Sequence, residues 1–230
     1  MADELALGRP ISLQGLQSLV ELALGEPVPT LALKSMVELA TGDRLLNGIE
    51  SGVWVCGSAR TEPDTEEYEL GVKVGAALAG AGFPVFTGGG PGAMAAANQG
   101  AFEIGGVSVG VGIVLPHEQE FSPYLTVKFL CEYFFTRKVL LTKHTGALVV
   151  LPGGNGSLDE TYEVLTLVQT GSIPPRPIVL VGREFWGDLD GWSRETLLAS
   201  GKISPGDPDL IKVVDTEDEV MALMPKRAAS

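Results

Sequence analysis

With 230 residues, 45% of them hydrophobic, the chain can bury one substantial core. A formal charge of −13 with a pI near 4.5 argues against a nucleic-acid partner, whose binding face needs clustered Lys and Arg. No apolar run approaches the roughly 20 residues that span a bilayer, and Met1-Ala-Asp-Glu-Leu5 lacks the basic start of a signal peptide, so a soluble cytoplasmic protein without a membrane partner is expected.

In chain order, residues 1–50 differ from the rest and read as a helical N-terminal extension. Leu16, Leu19, Val20 and Leu22 to Leu24 suggest one short helix, and Leu33, Met36, Val37 and Ala40 another, with Gly25-Glu-Pro-Val-Pro29 between them. Nothing there carries chemistry; a helical arm packed on the main domain or on a second subunit is the expectation. Residues 51–230 are more regular. A strand at 53–56, the loop Gly57-Ser58-Ala59-Arg60, a helix at 66–79 and a strand at 83–87 lead to Gly88-Gly-Gly-Pro-Gly92. An Ala-rich helix at 93–103 and a strand at 107–115, closed by Pro116, follow. Residues 125–144 read as one long helix, with Gly146 as its C′ glycine. A strand at 147–151 then enters the loop 152–156, and Ser157 has the chemistry of an N-cap for a helix whose apolar positions are Leu158, Tyr162, Leu165 and Val168. A strand at 177–181, a helix near 189–199, a strand near 210–214 and a helix at 217–223 complete the chain. This alternation predicts an α/β fold: a Rossmann-like, doubly wound parallel sheet with helices on both faces, binding its ligand outside the carboxyl ends of the strands.

Strand, glycine loop and helix occur together at 83–103 and again at 147–170, so two helix N-termini can face one ligand. Unpaired backbone N–H groups and the positive end of a helix dipole make the second unit a phosphate-site candidate. Gly88 to Ala93 fits a weak G-x-G-x-x-A dinucleotide fingerprint, but no Asp or Glu appears from 104 to 116 to hold a ribose, and no Gly-Lys-Ser/Thr makes it a Walker loop. Ser157-Leu-Asp-Glu160 has the capping-box pattern, so Glu160 either reaches back to the Ser157 N–H, faces the cleft, or does both. Carboxylates on this turn would repel a phosphate unless cations stand opposite, and Arg137 and Lys138, after Tyr133, Phe134 and Phe135, are the candidates. His117 and His144 are lone histidines with surface or capping roles, and no metal site is expected. Cys56 and Cys131 are far apart and read as buried free thiols.

Leu151-Pro-Gly-Gly-Asn-Gly-Ser-Leu-Asp-Glu160 resembles the P-G-G-x-G-T-x-x-E signature of the Lonely Guy (LOG) family, cytokinin riboside 5′-monophosphate phosphoribohydrolases. Arg137-Lys138 is similar to the family's R-K pair, and residues 57–60 and 87–94 resemble its first two loops. The resemblance runs from about Val53 to Leu223. Ser157 stands where Thr is usual, Ala95 and Gln99 where Glu and a basic residue are common, and Ser122-Pro-Tyr124 where Asn-Pro-Tyr is common. The resemblance implies hydrolysis of the N-glycosidic bond of a nucleoside 5′-monophosphate to free base and ribose 5-phosphate, without a cofactor, in a homodimer or larger homo-oligomer. It makes Arg137 and Glu160 catalytic. Gly57, Ser58, Gly88, Gly89, Gly90, Gly92, Met94, Lys138, Gly153, Gly154, Gly156 and Ser157 become substrate-binding residues. The alternative is a carrier of a nucleotide or of molybdenum cofactor that does no chemistry. Proteins with this signature also carry a lysine decarboxylase label, yet the lysines near the glycine loop, Lys138 and Lys143, have no recognisable pyridoxal context.

Overall fold

The computed structural model describes residues 13–25, 27–49, 51–115 and 120–225, which fall into two compact units, 1–45 and 46–230. His117 and Pro116 lie outside the described residues. The first unit holds α1 (Leu13–Leu24) and most of α2 (Thr30–Leu46), both longer than their apolar spacing predicts. Gly25 ends α1 in a left-handed conformation (φ +75°), its N–H donating to the Glu21 carbonyl at 2.8 Å, a geometry that glycine adopts without strain.

The second unit is built on seven parallel strands in the order β4-β3-β2-β1-β5-β6-β7. These are β1 (Gly52–Cys56), β2 (Val85–Thr87), β3 (Ser108–Ile113), β4 (Val127–Cys131), β5 (Thr145–Val150), β6 (Ile178–Val181) and β7 (Ile211–Val214). Every residue of β1, β2 and β6 is buried, as a sheet covered on both faces requires. The covering helices are α3 (Glu66–Gly80), α4 (Ala93–Glu103), α5 (Phe134–His144), α6 (Asn155–Gln169), α7 (Arg183–Trp192) and α8 (Glu217–Leu223). From β1 the chain winds outward to β4, then begins again on the other side of β1 with β5. The winding therefore reverses between β1 and β5, where Cys56 pairs with Val150, and the crevice outside these strand ends is where such folds bind ligands. No described helix is long and apolar enough to cross a membrane.

Small residues let α3 and α4 lie almost backbone to backbone. A Cβ placed at Gly100 would stand 2.8 Å from the Ala76 nitrogen, and one at Gly75 would stand 2.9 Å from the Ala97 Cα. Gly100→Ala is therefore expected to overpack this contact and destabilise the chain by about 1–3 kcal/mol or more. Urea titration checks this: the midpoint should fall with an unchanged slope.

The segment 125–144 is not one helix. It forms β4, a bend at Glu132 and Tyr133, and then α5. In β4, Val127, Phe129 and Cys131 face inward while Lys128 and Leu130 are exposed, a period of two that an outward-facing leucine disguises. Pairing with β3, Val109 to Val127 through Ile113 to Cys131, makes the segment an edge strand. Nor is Gly146 a C′ glycine: α5 passes directly into β5, with Gly146 its second residue. Other groups close that helix end. The Thr145 hydroxyl donates to the Leu141 carbonyl at 2.7 Å, and the Arg176 guanidinium donates to the Thr142 and Thr145 carbonyls at 2.9 and 2.7 Å. The helix expected near 189–199 begins earlier, as α7, and continues into a π-helical turn, Ser193–Leu197.

Candidate active site

A cleft of about 570 Å³ runs along the carboxyl ends of the strands, and the elements around it supply distinct chemistry. The loop after β1 is tied on both sides. Ser58 donates its N–H to the Pro152 carbonyl at 2.9 Å and accepts at its own carbonyl from the Ala93 N–H at 2.9 Å, so this loop bridges the chain entering α6 and the start of α4. After β2, a buried chain of side chains holds the glycine loop: the Thr87 hydroxyl donates to Asn98 (2.6 Å) and accepts the Gly89 N–H (2.8 Å), and Asn98 donates to Ser108 (2.8 Å). Glycine at 88 has a specific cause, because a Cβ there would collide with the Arg137 guanidinium.

Helix α6 begins at Asn155 with Gly154 as its N-cap. Ser157 is therefore the third helical residue and not the expected cap, and of the alternatives for Glu160 the capping box with Ser157 does not form. The reason is steric and local: Gly153 has no Cβ, so the Ser157 side chain packs directly against it and the glycines themselves turn into the helix. Glu160 sits nearly a full turn farther in, buried, with its Oε1 3.0 Å from an Arg137 terminal nitrogen, both side chains only 10% exposed. Arg137 is held from behind by donating its Nε–H to the Val111 carbonyl at 2.9 Å.

Burial pushes the Glu160 carboxyl above its ordinary range, while the Arg137 charge and a hydrogen bond from Cys56 pull it back. Cys56, the last residue of β1, is buried beside this carboxylate, and desolvation first and Glu160 second hold its thiol well above the usual value. The thiol is thus protonated and acts as a donor. Cys56→Ala is expected to remove that donor, raise the Glu160 pKa and shift the acid limb of any Glu160-dependent activity to higher pH; a pH–rate profile checks it.

The structure brings Gly57, Ser58, Gly88, Gly89, Gly90, Met94, Arg137, Gly154, Gly156, Ser157 and Glu160 to the cleft wall. Three expected residues do not line it. Gly92 caps α4 at φ +69°, packed against the Ser58 and Ala59 backbone, and Gly153 supports Ser157. Lys138 points away to α6, paired with Asp159 at 3.1 Å and with Glu163, so the basic pair divides between two sites. Sequence reasoning passed over an apolar wall of Ile113, Leu115, Phe121, Leu130 and Phe134. Leu130 was hidden by reading β4 as helix, whereas Leu115 and Cys56 follow or end strands and were findable from the rule that ligands gather at carboxyl ends. The cleft thus offers backbone N–H groups and a helix N-terminus at the β5 side, a buried carboxylate–guanidinium pair in its wall and an apolar surface at the β3–β4 side.

The sequence profile of a family described as "Possible lysine decarboxylase" matches residues 94–224. A relative from Mycobacterium tuberculosis named cytokinin riboside 5′-monophosphate phosphoribohydrolase is 34% identical over 74% of this chain and 91% of its own length. An Arabidopsis thaliana relative named cytokinin riboside 5′-monophosphate phosphoribohydrolase LOG3 is 27% identical over 72% of this chain and 77% of its own. The solved structure of the molybdenum cofactor binding protein from Rippkaea orientalis shares the fold, with a TM-score of 0.54 and 17% identity over 76% of this chain and 94% of that one. With a profile that matches more than half of its residues and a 34%-identical relative aligned over 91% of that relative, this chain belongs to the Lonely Guy (LOG) family.

Proposed function

We propose that the chain hydrolyses the N-glycosidic bond of a nucleoside 5′-monophosphate, of the cytokinin riboside or AMP type, to free base and ribose 5-phosphate. The observation that carries this reading is the buried Arg137–Glu160 pair in the wall of a cleft at the point where the sheet reverses its winding. The names of the Mycobacterium tuberculosis and Arabidopsis thaliana relatives support it. In this reading Gly154, Gly156 and Ser157 hold the phosphate at the N-terminus of α6. Gly57, Ser58, Gly88, Gly89, Gly90 and Met94 contact the nucleoside, and the apolar wall takes the base. As the C1′–N bond breaks, its electron pair leaves with the base and positive charge spreads over the ribose ring. Glu160, ionised and facing the sugar, stabilises that charge and aligns or deprotonates the water that adds to C1′, while the base takes up a proton. Arg137 keeps Glu160 ionised and oriented.

Decarboxylation through pyridoxal chemistry fits poorly, because among the described residues no lysine lines the cleft to form a Schiff base. Incubating the protein with a panel of purine monophosphates and following free base by chromatography tests the proposal. Saturable binding without base release would instead make the chain a carrier of a nucleotide or of molybdenum cofactor. A homodimer or larger homo-oligomer is also proposed, supported by exposed Phe135 and Val139 on one face of α5, and sedimentation showing a monomer would count against it.

A further inference from the structure

We infer that Arg60, in the loop after β1, is the cation that binds the 5′-phosphate and makes the cleft prefer nucleotides to nucleosides. The inference rests on the proposed substrate class. Its starting point is the charge inventory of the cleft, whose described lining contains the cations Arg60 and Arg137 and the carboxylates Glu120 and Glu160. Arg137 is already committed, to Glu160 through its terminal nitrogen and to the Val111 carbonyl through Nε. Lys138 lies outside the cleft with Asp159 and Glu163. The guanidinium of Arg60 makes no ion pair or hydrogen bond among the described residues, although the chain around it is well ordered by contacts.

Those contacts place it. The Arg60 N–H donates to the Ser58 hydroxyl at 3.0 Å, closing a tight turn. Ser58 is itself tied to Pro152, just ahead of the α6 N-terminus, and to Ala93, the first residue of α4. Arg60 therefore rises from the short bridge between the two helix N-termini that face the cleft. Without it, the lining would hold one cation against two carboxylates and would repel a phosphate dianion, in a chain whose formal charge is already −13. A planar guanidinium matches two phosphate oxygens at once, so lysine at this position should be an incomplete substitute.

The experiment is calorimetric titration of wild type, Arg60→Ala and Arg60→Lys with AMP, ribose 5-phosphate and adenosine, at low and at raised salt, beside the base-release assay. Arg60→Ala should weaken AMP and ribose 5-phosphate binding about tenfold or more and leave adenosine binding unchanged, with Arg60→Lys between the two. The wild-type preference for AMP should also fall with salt more steeply than the variant's, because an exposed cation is screened. In the base-release assay the loss should fall on KM more than on kcat. Unchanged AMP binding in Arg60→Ala, or an equal loss for AMP and adenosine, overturns the inference. Binding that depends on Arg60 in a protein that releases no base would uphold it while sinking the hydrolase reading, and a wild type that binds no phosphate-bearing ligand would overturn both.

Discussion

Glu160→Gln is expected to cut base release from AMP-type substrates by roughly a hundredfold or more, the usual cost of removing one preorganised electrostatic partner, while leaving the fold intact. Glutamine keeps the shape and can still accept a hydrogen bond from Arg137, so the loss isolates the negative charge. The wild-type rate should also fall on the acid side with an apparent pKa above 4.5, the ordinary glutamic acid value, because burial raises Glu160. Stability carries the same signature with a definite sign. Between 4.5 and the raised folded pKa, the native chain holds a proton that the unfolded chain has released, so this group's contribution is fully present below 4.5 and is lost as pH rises through the folded value. Urea midpoints measured across that window should decline in wild type more steeply than in Glu160→Gln. Full turnover by Glu160→Gln would show that the carboxylate only orders the site.

Arg137→Ala should be at least as damaging to turnover and much more damaging to stability. The substitution leaves the Glu160 carboxylate buried with its guanidinium partner gone and takes the Nε–H donor from the Val111 carbonyl. Breaking a buried ion pair on one side commonly costs about 3–5 kcal/mol, more than the pair itself contributes relative to apolar replacements. Because Arg137 lowers the Glu160 pKa, its removal raises that pKa further, and the variant should recover stability relative to wild type as pH falls and Glu160 becomes protonated. The double variant Arg137→Ala/Glu160→Gln should be less destabilised than Arg137→Ala alone, since no charge is then left unpaired. A strictly additive double variant, measured in the same urea titration, would mean that the two residues do not act as a unit.

Much of the architecture was readable from the order of residues. Strand–glycine-loop–helix units at 83–103 and 147–170 announce a parallel sheet, since buried strands and surface helices leave different apolar periods. The same reasoning failed at 125–144, where an edge strand with Leu130 facing outward carries too little alternation to stand apart from a helix. It failed again at Ser157, where a capping motif was present but the glycines of residues 153 and 154 let the helix begin earlier. The first error concerns a pairing that the neighbouring strand β3 decides, and the second a local choice that the two glycines settle against the serine.

Residue order alone made Glu160, on a glycine-rich helix N-terminus, and Arg137 the candidates for a site in an acidic α/β protein. It left open whether Glu160 caps its own helix or faces a cleft, and it put both Arg137 and Lys138 at the site, the first as catalytic and the second as a binding residue. Three-dimensional packing turned Glu160 into the cleft and took Lys138 out of it. The pairing of β1 with β5 sets Cys56 beside Glu160, while the placement of α5 turns Arg137 inward to Glu160 and Lys138 outward to Asp159 and Glu163. Adjacent helical residues project about 100° apart, so a dipeptide in the sequence cannot say which of its two charges is buried; the strands behind the helix decide it.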